Sequence, residues 1–426
     1  MGTVKHIVFG VVAWACFSCN GPEVRSVPCI ESPAIDREAL LWNLEELSHV
    51  PQMEWVDSTS AVRSLVFRGA DYEGAPTHVF GYYSDPSVLA GATRNDGERY
   101  AGVILLHGGG GAAFRMWVEK WASEGYAALA IDLCGCGEGG VKLPDGGPSL
   151  SDNYRVFHMA DSDDLRAMWS YHAVASAIKA HSLLLSFPSV DPERTCVTGI
   201  SWGGYLTCIV GSLDDRFKAA APVYGCGFYD ELPFFAPGMM DRLSETGVQR
   251  WMKAFDPSVY LGYARIPFLF LTGNNDTAYQ LYAYRKSCAL VPDSLRTISI
   301  RPGMMHGHYE GWEPNEIRCF FDGVLNGGCP LVRIEEPVVT DSVRVPYDSR
   351  LSSLEGTFYF SNDTISANAD RVWSSIAGTI DTKRKLFVCP LPEQGYEIGF
   401  VLIRDMRRMA VSSGFFLKDS GKTIDE

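Results

Sequence analysis

Hydrophobic and polar positions change their rhythm twice along this chain. From residue 101 onward, continuous apolar runs alternate with stretches of helical periodicity. Val103–Leu106 is apolar at every position, as a strand buried on both faces requires. Phe114, Trp117, Val118 and Trp121 then recur on one helical face. Further strands are predicted at 127–131, 195–198, 218–223, 267–271 and 296–300, and helices over 173–185, 205–211, 281–290 and 313–324. Strand–helix alternation of this kind specifies an α/β protein, with a mainly parallel sheet wrapped by helices on both faces. Upstream, residues 39–47 predict a short amphipathic helix, and 62–67 and 77–83 predict two alternating strands forming a hairpin. The second change falls at Gly327-Gly328-Cys329-Pro330. Beyond it come short alternating runs at 357–360, 385–388, 398–403 and 409–411 with no strong helix. These predict a small β-sandwich. The expected organisation is a main α/β domain over residues 36–330 and an accessory sandwich over 331–426.

The first residues follow a different logic. Lys5 and His6 precede an apolar stretch from Ile7 to Ala15, too short to span a bilayer and suited to a secretory signal. It ends in Cys16-Phe17-Ser18-Cys19-Asn20. A small residue before a cysteine resembles the lipobox of bacterial lipoproteins, where the cysteine becomes the lipidated terminus. Both Cys16 and Cys19 satisfy this, and Cys19 is preferred because polar chain follows it at once. Residues 1–19 are thus expected to be a lipoprotein signal, and 20–35, with Pro22, Pro28 and Pro33, a tether. The implied location is the periplasmic or outer face of a bacterial membrane, reached by a lipid anchor only. A plain cleaved signal peptide is the competing reading.

Composition narrows the partners. The 426 residues are 46% hydrophobic and 21% charged, with a formal net charge of −14, which disfavours a nucleic-acid partner. Ten of the cysteines lie beyond residue 19 and none has zinc spacing. Most suit small buried hydrophobic positions, with Cys319–Cys329 as a candidate bridge in an oxidising compartment. No Walker lysine occurs, and no cofactor or metal is expected.

The chemistry sits where predicted strands end. Gly199-Ile200-Ser201-Trp202-Gly203-Gly204 follows an apolar strand and matches the G-x-S-x-G nucleophile elbow, whose sharp turn thrusts a serine hydroxyl into a cleft. A serine hydroxyl needs a base to remove its proton. The strand at 267–271 runs into Asn274-Asn275-Asp276, and the last strand into Gly303-Met304-Met305-His306-Gly307-His308. His306 is the expected base and Asp276 the residue that orients it. His308 competes for the base role. His306 is favoured because Gly307 lets the backbone turn its ring inward, leaving His308 to line the pocket or pack on Trp312. His172 and His181, on the alanine-rich helix, are expected to be packing residues. His107-Gly108-Gly109-Gly110-Gly111 follows the first buried strand and can present amides to an oxyanion. Trp202 N–H is one expected donor, and Gly109 or Gly110 the other. Residues 227–251, with Phe228, Tyr229, Phe234 and Phe235, are expected to form a lid with exposed aromatics. Phe234 and Phe235 would line the substrate pocket.

From His107 to Trp312 the chain resembles the α/β-hydrolases labelled acetyl-xylan-esterase-like, which overlap with dienelactone hydrolases and with the catalytic domain of prolyl oligopeptidases. The resemblance rests on His107–Gly111, Asp132-Leu133-Cys134-Gly135-Cys136-Gly137, Gly199–Gly204, Asn275-Asp276 and His306-Gly307-His308. It implies a serine esterase acting on ester-bearing small molecules or polysaccharides. The Arg-Gly-Gln loop and Gly-Gly-Ser-Gln-Gly elbow of the cephalosporin-C deacetylase group are absent. A small-peptide peptidase of the prolyl-oligopeptidase type is a rival, although too little chain precedes His107 for a β-propeller. A non-catalytic carbohydrate-binding lipoprotein is the other, and the complete triad argues against it.

Overall fold

In the computed structural model, the apolar runs become the centre of a sheet. The structure describes residues 40–418 except 94, 96, 163 and 236–239. The signal, the tether and Cys19 lie outside them. Nine strands build the first part of the fold: β1 (Met53–Asp57), β2 (Arg63–Arg68), β3 (His78–Ser84), β4 (Tyr100–Leu106), β5 (Tyr126–Ile131), β6 (Val190–Ile200), β7 (Ala219–Val223), β8 (Phe268–Gly273) and β9 (Arg296–Arg301). Their order is β1-β2-β3-β5-β4-β6-β7-β8-β9. From β5 through β9 every pairing is parallel, while β1, β2 and β3 are antiparallel to their neighbours.

The position of the helices follows from this order. The step from β4 to β5 runs opposite to those from β5 to β6 and β6 to β7. Right-handed crossovers therefore place the intervening helices on opposite faces. Helices Arg115–Ser123 and Asn315–Leu325 meet through Trp121 and Phe321, 5.7 Å apart. Helices Trp169–Ser186 and Trp202–Leu213 meet through Trp169 and Trp202, 5.2 Å apart. Cover on both faces explains why β5, β7 and β8 are buried at every position.

The remaining strands are β10 (Arg333–Ile334), β11 (Val338–Val339), β12 (Ser342–Asp348), β13 (Leu354–Ser361), β14 (Ser374–Ala377), β15 (Thr379–Asp381), β16 (Leu386–Pro390), β17 (Ile398–Asp405), β18 (Ala410–Ser412) and β19 (Phe416–Leu417). β10, β11, β12, β15 and β16 form a separate sheet. It closes over β13 and β17 around Val343, Val345, Phe358, Phe387, Val401 and Ile403, giving the expected sandwich. Its other sheet does not stand alone. β18 pairs with β9 at Ser412 and Ile298, so the first sheet continues into the sandwich. Side chains complete what this short pairing leaves open. Ser299 donates to the Ala410 carbonyl (2.8 Å), and Ile300 N–H donates to Ser412 Oγ (2.9 Å). The buried Glu316 accepts from Ala410 N–H and pairs with Arg301. A separate apolar cluster of Leu281, Ile300, Phe400, Leu402 and Phe415 fills the junction.

The helix predicted over 39–47 forms only from Leu44 to Leu47, capped by Asn43. β1 went unpredicted because its residues are mostly exposed and carry no alternation of burial. Cys319 and Cys329 are both free thiols, which corrects the expected bridge. Cys319 Sγ instead points at the Cys329 carbonyl, 3.8 Å away. His181 is a packing residue: it bridges Asp214 (2.8 Å) and Thr195 (2.9 Å) and stacks on Phe217.

Replacing Glu316 by alanine removes the acceptor for a buried amide and for Arg301 together. It is expected to lower the unfolding free energy by about 2 kcal/mol, read as a reduced urea midpoint; an unchanged midpoint would show that the junction does not depend on this carboxylate.

Candidate active site

The elbow is set by a steric constraint. Ser201 has φ 59° and ψ −115°, a conformation that an L-residue adopts only under duress from its surroundings. The helix Trp202–Leu213 begins at the next residue. A side chain on Gly203 would lie 1.9 Å from the Leu106 carbonyl oxygen, and one on Gly199 would lie 2.2 Å from the Gly203 carbonyl. Only glycine lets the new helix start this close to β4 and β6. Ser201 N–H donates to the Val223 carbonyl at 2.9 Å, holding the apex of the turn over β7.

Three loop ends converge on that apex. His306 Nε2 lies 3.1 Å from Ser201 Oγ, and His306 Nδ1 lies 2.7 Å from Asp276 Oδ2. A carboxylate accepts, so Nδ1 carries the proton and Nε2 faces the serine as an acceptor. Asp276 is fully buried. Its other oxygen accepts from Ala278 N–H (2.9 Å) and Tyr279 N–H (2.7 Å), which fixes the carboxylate plane. The two asparagines before it have separate tasks. Asn274 Oδ1 accepts from Gly303 N–H at 2.9 Å, tying the acid loop to the loop that carries His306. Asn275 reaches the sandwich, donating to the carbonyls of Asn368 and Arg371 at 2.8 Å each. The His306 ring rests against Tyr224, 4.5 Å between centroids, and Tyr224 donates to the Met305 carbonyl.

His308 does not fill the role expected of it. Its Nε2 accepts from Gly108 N–H at 3.2 Å, and its ring packs on Phe114 at 4.9 Å rather than on Trp312. Burial pushes its pKa below the ordinary histidine value, which keeps that nitrogen free to accept. His308 therefore props the glycine loop. His107 holds the same glycine by its carbonyl. Its Nδ1 lies 2.7 Å from the Gly108 carbonyl and its Nε2 accepts from Leu133 N–H at 2.9 Å, so the neutral ring uses both nitrogens. Gly111 N–H closes the turn on the Gly108 carbonyl. Gly109 and Gly110 lie between these fixed points. Gly108 sits directly against the nucleophile, since a Cβ there would be 2.9 Å from Ser201 Cβ. Trp202 opens its helix, so its amide has no intrahelical acceptor. The Asp132–Gly137 motif shapes the neighbouring loop, with Asp132 Oδ1 accepting from Cys134 N–H and Cys136 N–H.

The aromatics of residues 227–251 are less exposed than expected. Tyr229 and Phe235 are buried, because they pack on Trp202 at 5.3 and 5.4 Å and so extend the core beneath the elbow. Phe234 alone of the two phenylalanines is open, at 53% exposure, edge-on to Phe235. The segment otherwise forms a short turn at Tyr229–Glu231 and the helix Glu245–Phe255. Tyr279 escaped the sequence reading. Its buried hydroxyl lies 2.7 Å from that of Tyr229, and its ring stacks near His306. The one available signal was its place three residues after the acid.

Strand order, elbow and the hydrogen-bonded serine, histidine and aspartate together define a serine hydrolase on the α/β-hydrolase fold. Over residues 88–257 the chain matches the family model described as acetyl xylan esterase (AXE1), a stretch that spans the glycine loop and elbow and ends before Asp276. It is similar in structure to the acetyl xylan esterase from Paenibacillus sp. R4, with 20% identity and a TM-score of 0.50, covering 66% of this chain and 92% of that one. At this identity the likeness is one of fold. Acetyl xylan esterase 1 from Thermoanaerobacterium sp. JW/SL YS485 aligns at 15% identity and TM-score 0.49, over 68% and 95% of the two chains. A puromycin-hydrolysing peptidase of Mycobacterium tuberculosis aligns at 20% and 0.46, over 66% of this chain and 40% of its own. No curated protein matches the sequence.

Burial holds His107 and His172 each at about 4, against 6.5 for an unperturbed histidine. The unfolded chain takes up these protons as pH falls through 6.5, and the folded chain only near 4. The folded state therefore loses stability across that interval. The urea midpoint is expected to be lower at about pH 5 than near neutrality, with a smaller difference in His107→Gln; a variant whose difference matches the wild type would show that His107 does not contribute.

Proposed function

We propose that this chain is an exported carbohydrate esterase that cleaves acyl groups from glycans through an acyl-enzyme on Ser201. The hydrogen-bonded line from Ser201 through His306 to the buried Asp276 carries the reading, and the match of residues 88–257 to the acetyl xylan esterase family supports the ester class. In the first half-reaction, His306 Nε2 takes the Ser201 proton as Oγ attacks the ester carbonyl. Asp276 stabilises the imidazolium that results. The oxyanion forms between the Trp202 amide and the Gly109 or Gly110 amide. A donor of this kind is typically worth roughly 10²–10³ in rate. His306 then returns the proton to the departing sugar hydroxyl. Water repeats the sequence against the acyl-enzyme, with His306 again the base. Phe234, open at the rim, offers an aromatic face to a sugar ring.

Ser201→Ala is expected to keep the fold, by circular dichroism, and to lose on the order of 10⁴ or more in turnover. The wild type should release acid from acetylated, feruloylated or methyl-esterified glycans in preference to hydrolysing aminoacyl arylamides. Wild-type turnover in a folded Ser201→Ala variant would remove the nucleophile assignment, and preference for the arylamides would remove the esterase one.

We also propose attachment to the membrane through a lipidated Cys19, on the pattern of residues 7–20. Mass spectrometry of the mature terminus should find a diacylglyceryl cysteine at that position. An unmodified terminus beginning elsewhere would refute anchoring, and the lipid on Cys16 would move the site.

A further inference from the structure

The triad is complete before residue 330 in sequence, yet not in space. Asp276 stands on a loop whose inner side is bound by its own sheet and whose outer side is bound by the sandwich. The contact comes from the loop between β13 and β14. Asn368 there is fully buried and donates from Nδ2 to the Asp276 backbone carbonyl at 3.2 Å. In return, Asn275 Nδ2 donates to the carbonyls of Asn368 and Arg371. Two side-chain amides, one from each side, thus cross-link the acid loop and the sandwich loop at adjacent residues.

The sandwich loop is itself braced to hold that position. The Arg371 guanidinium donates to Asn368 Oδ1 (2.9 Å), to the Asp363 carbonyl (2.8 Å) and to the Ser366 carbonyl (3.1 Å). Asp363 Oδ1 accepts from Ile365 N–H and Ser366 N–H. Asn368 therefore has its acceptor engaged by arginine and its donor free for one target, and that target is the residue holding His306. On the other flank of Asp276, Leu281 opens the following helix and packs in the junction cluster with Phe400 and Phe415. The acid is held between two sandwich contacts.

We propose that Asn368 is a positioning residue for the triad, so that the C-terminal sandwich acts as an external brace of the catalytic acid. The proposal rests on the assignment of Ser201, His306 and Asp276 as the triad. A carboxylate displaced by a fraction of an ångström loses part of its hold on the imidazolium. Proton transfer suffers, while substrate binding at the rim does not. Misplacement on this scale costs roughly 10- to 100-fold.

The test uses the full-length chain carrying Asn368→Ala, and separately Asn368→Asp, which keeps an acceptor for Arg371 and removes the donor. An aryl acetate serves as substrate and a fluorophosphonate as probe of the nucleophile. The expected result is about a tenfold or greater fall in kcat with KM little changed. The fluorophosphonate labelling rate should fall in parallel. The acid limb of kcat/KM should move to lower pH, because an imidazole less stabilised as its cation has a lower pKa. A loss of stability alone would lower the melting temperature without moving that limb. If either variant fails to fold, Asn275→Ala removes the reciprocal pair of hydrogen bonds and is judged by the same readouts. Unchanged kcat and an unmoved limb in a folded variant would overturn the proposal while leaving the triad standing. Full turnover in Ser201→Ala would overturn both, which keeps the two failures distinct.

Discussion

The approach of Gly203 to the Leu106 carbonyl is the constraint from which the site is built. It lets a helix start one residue after a strand, and so leaves Ser201 at positive φ with nowhere to relax. The same approach brings the end of β4 beside the nucleophile, so that the glycine loop leaving β4 arches over it. Ser201, the glycine loop and the first helical amide are thus fixed together by one close backbone contact rather than by separate interactions. The cost in local strain is offset by a core in which Trp202, Trp169, Tyr205 and Tyr229 pack ring against ring beneath the turn.

Around that contact the polar groups are spent economically. Asn274, Asn275 and Asp276 are consecutive, yet each binds a different part of the fold: the histidine loop, the sandwich and His306. The glycine loop is treated alike, with His107 on the Gly108 carbonyl and His308 on the Gly108 amide, both pKa values lowered by burial. A charged imidazole in either place would have to give up an accepted hydrogen bond. Two histidines that look like spare catalytic groups thus brace the glycine loop, while His306 alone of the three faces Ser201.

What could be read from sequence follows from how each signal is encoded. Buried parallel strands show as apolar runs, so β4 to β8 stood out, and the fold's strand ends located Ser201, Asp276 and His306. β1 is exposed along most of its length and has no such pattern. The helix Glu245–Phe255 buries only Gly247, Trp251 and Phe255, too sparse a stripe to separate from a loop. Phe235 and Tyr229 look like surface aromatics in a polar stretch, and only the packing against Trp202 shows otherwise. Asn368 lies 92 residues from the carbonyl that it binds, and no local spacing can encode such a pair.

The strand that continues the hydrolase sheet beyond β9 is β18, which comes far later in the chain. Ser412 meets Ile298 across more than a hundred intervening residues. Contacts this distant form late, because the entropy of closing so long a segment must be met before they contribute. Until then the edge of β9 is a bare row of amides and carbonyls, open to any other strand. A nascent chain that has already made its serine, its aspartate and its histidine still lacks the piece that closes its sheet. Synthesis must run past β18 before the molecule stops presenting an adhesive edge, which makes that short strand a checkpoint for solubility.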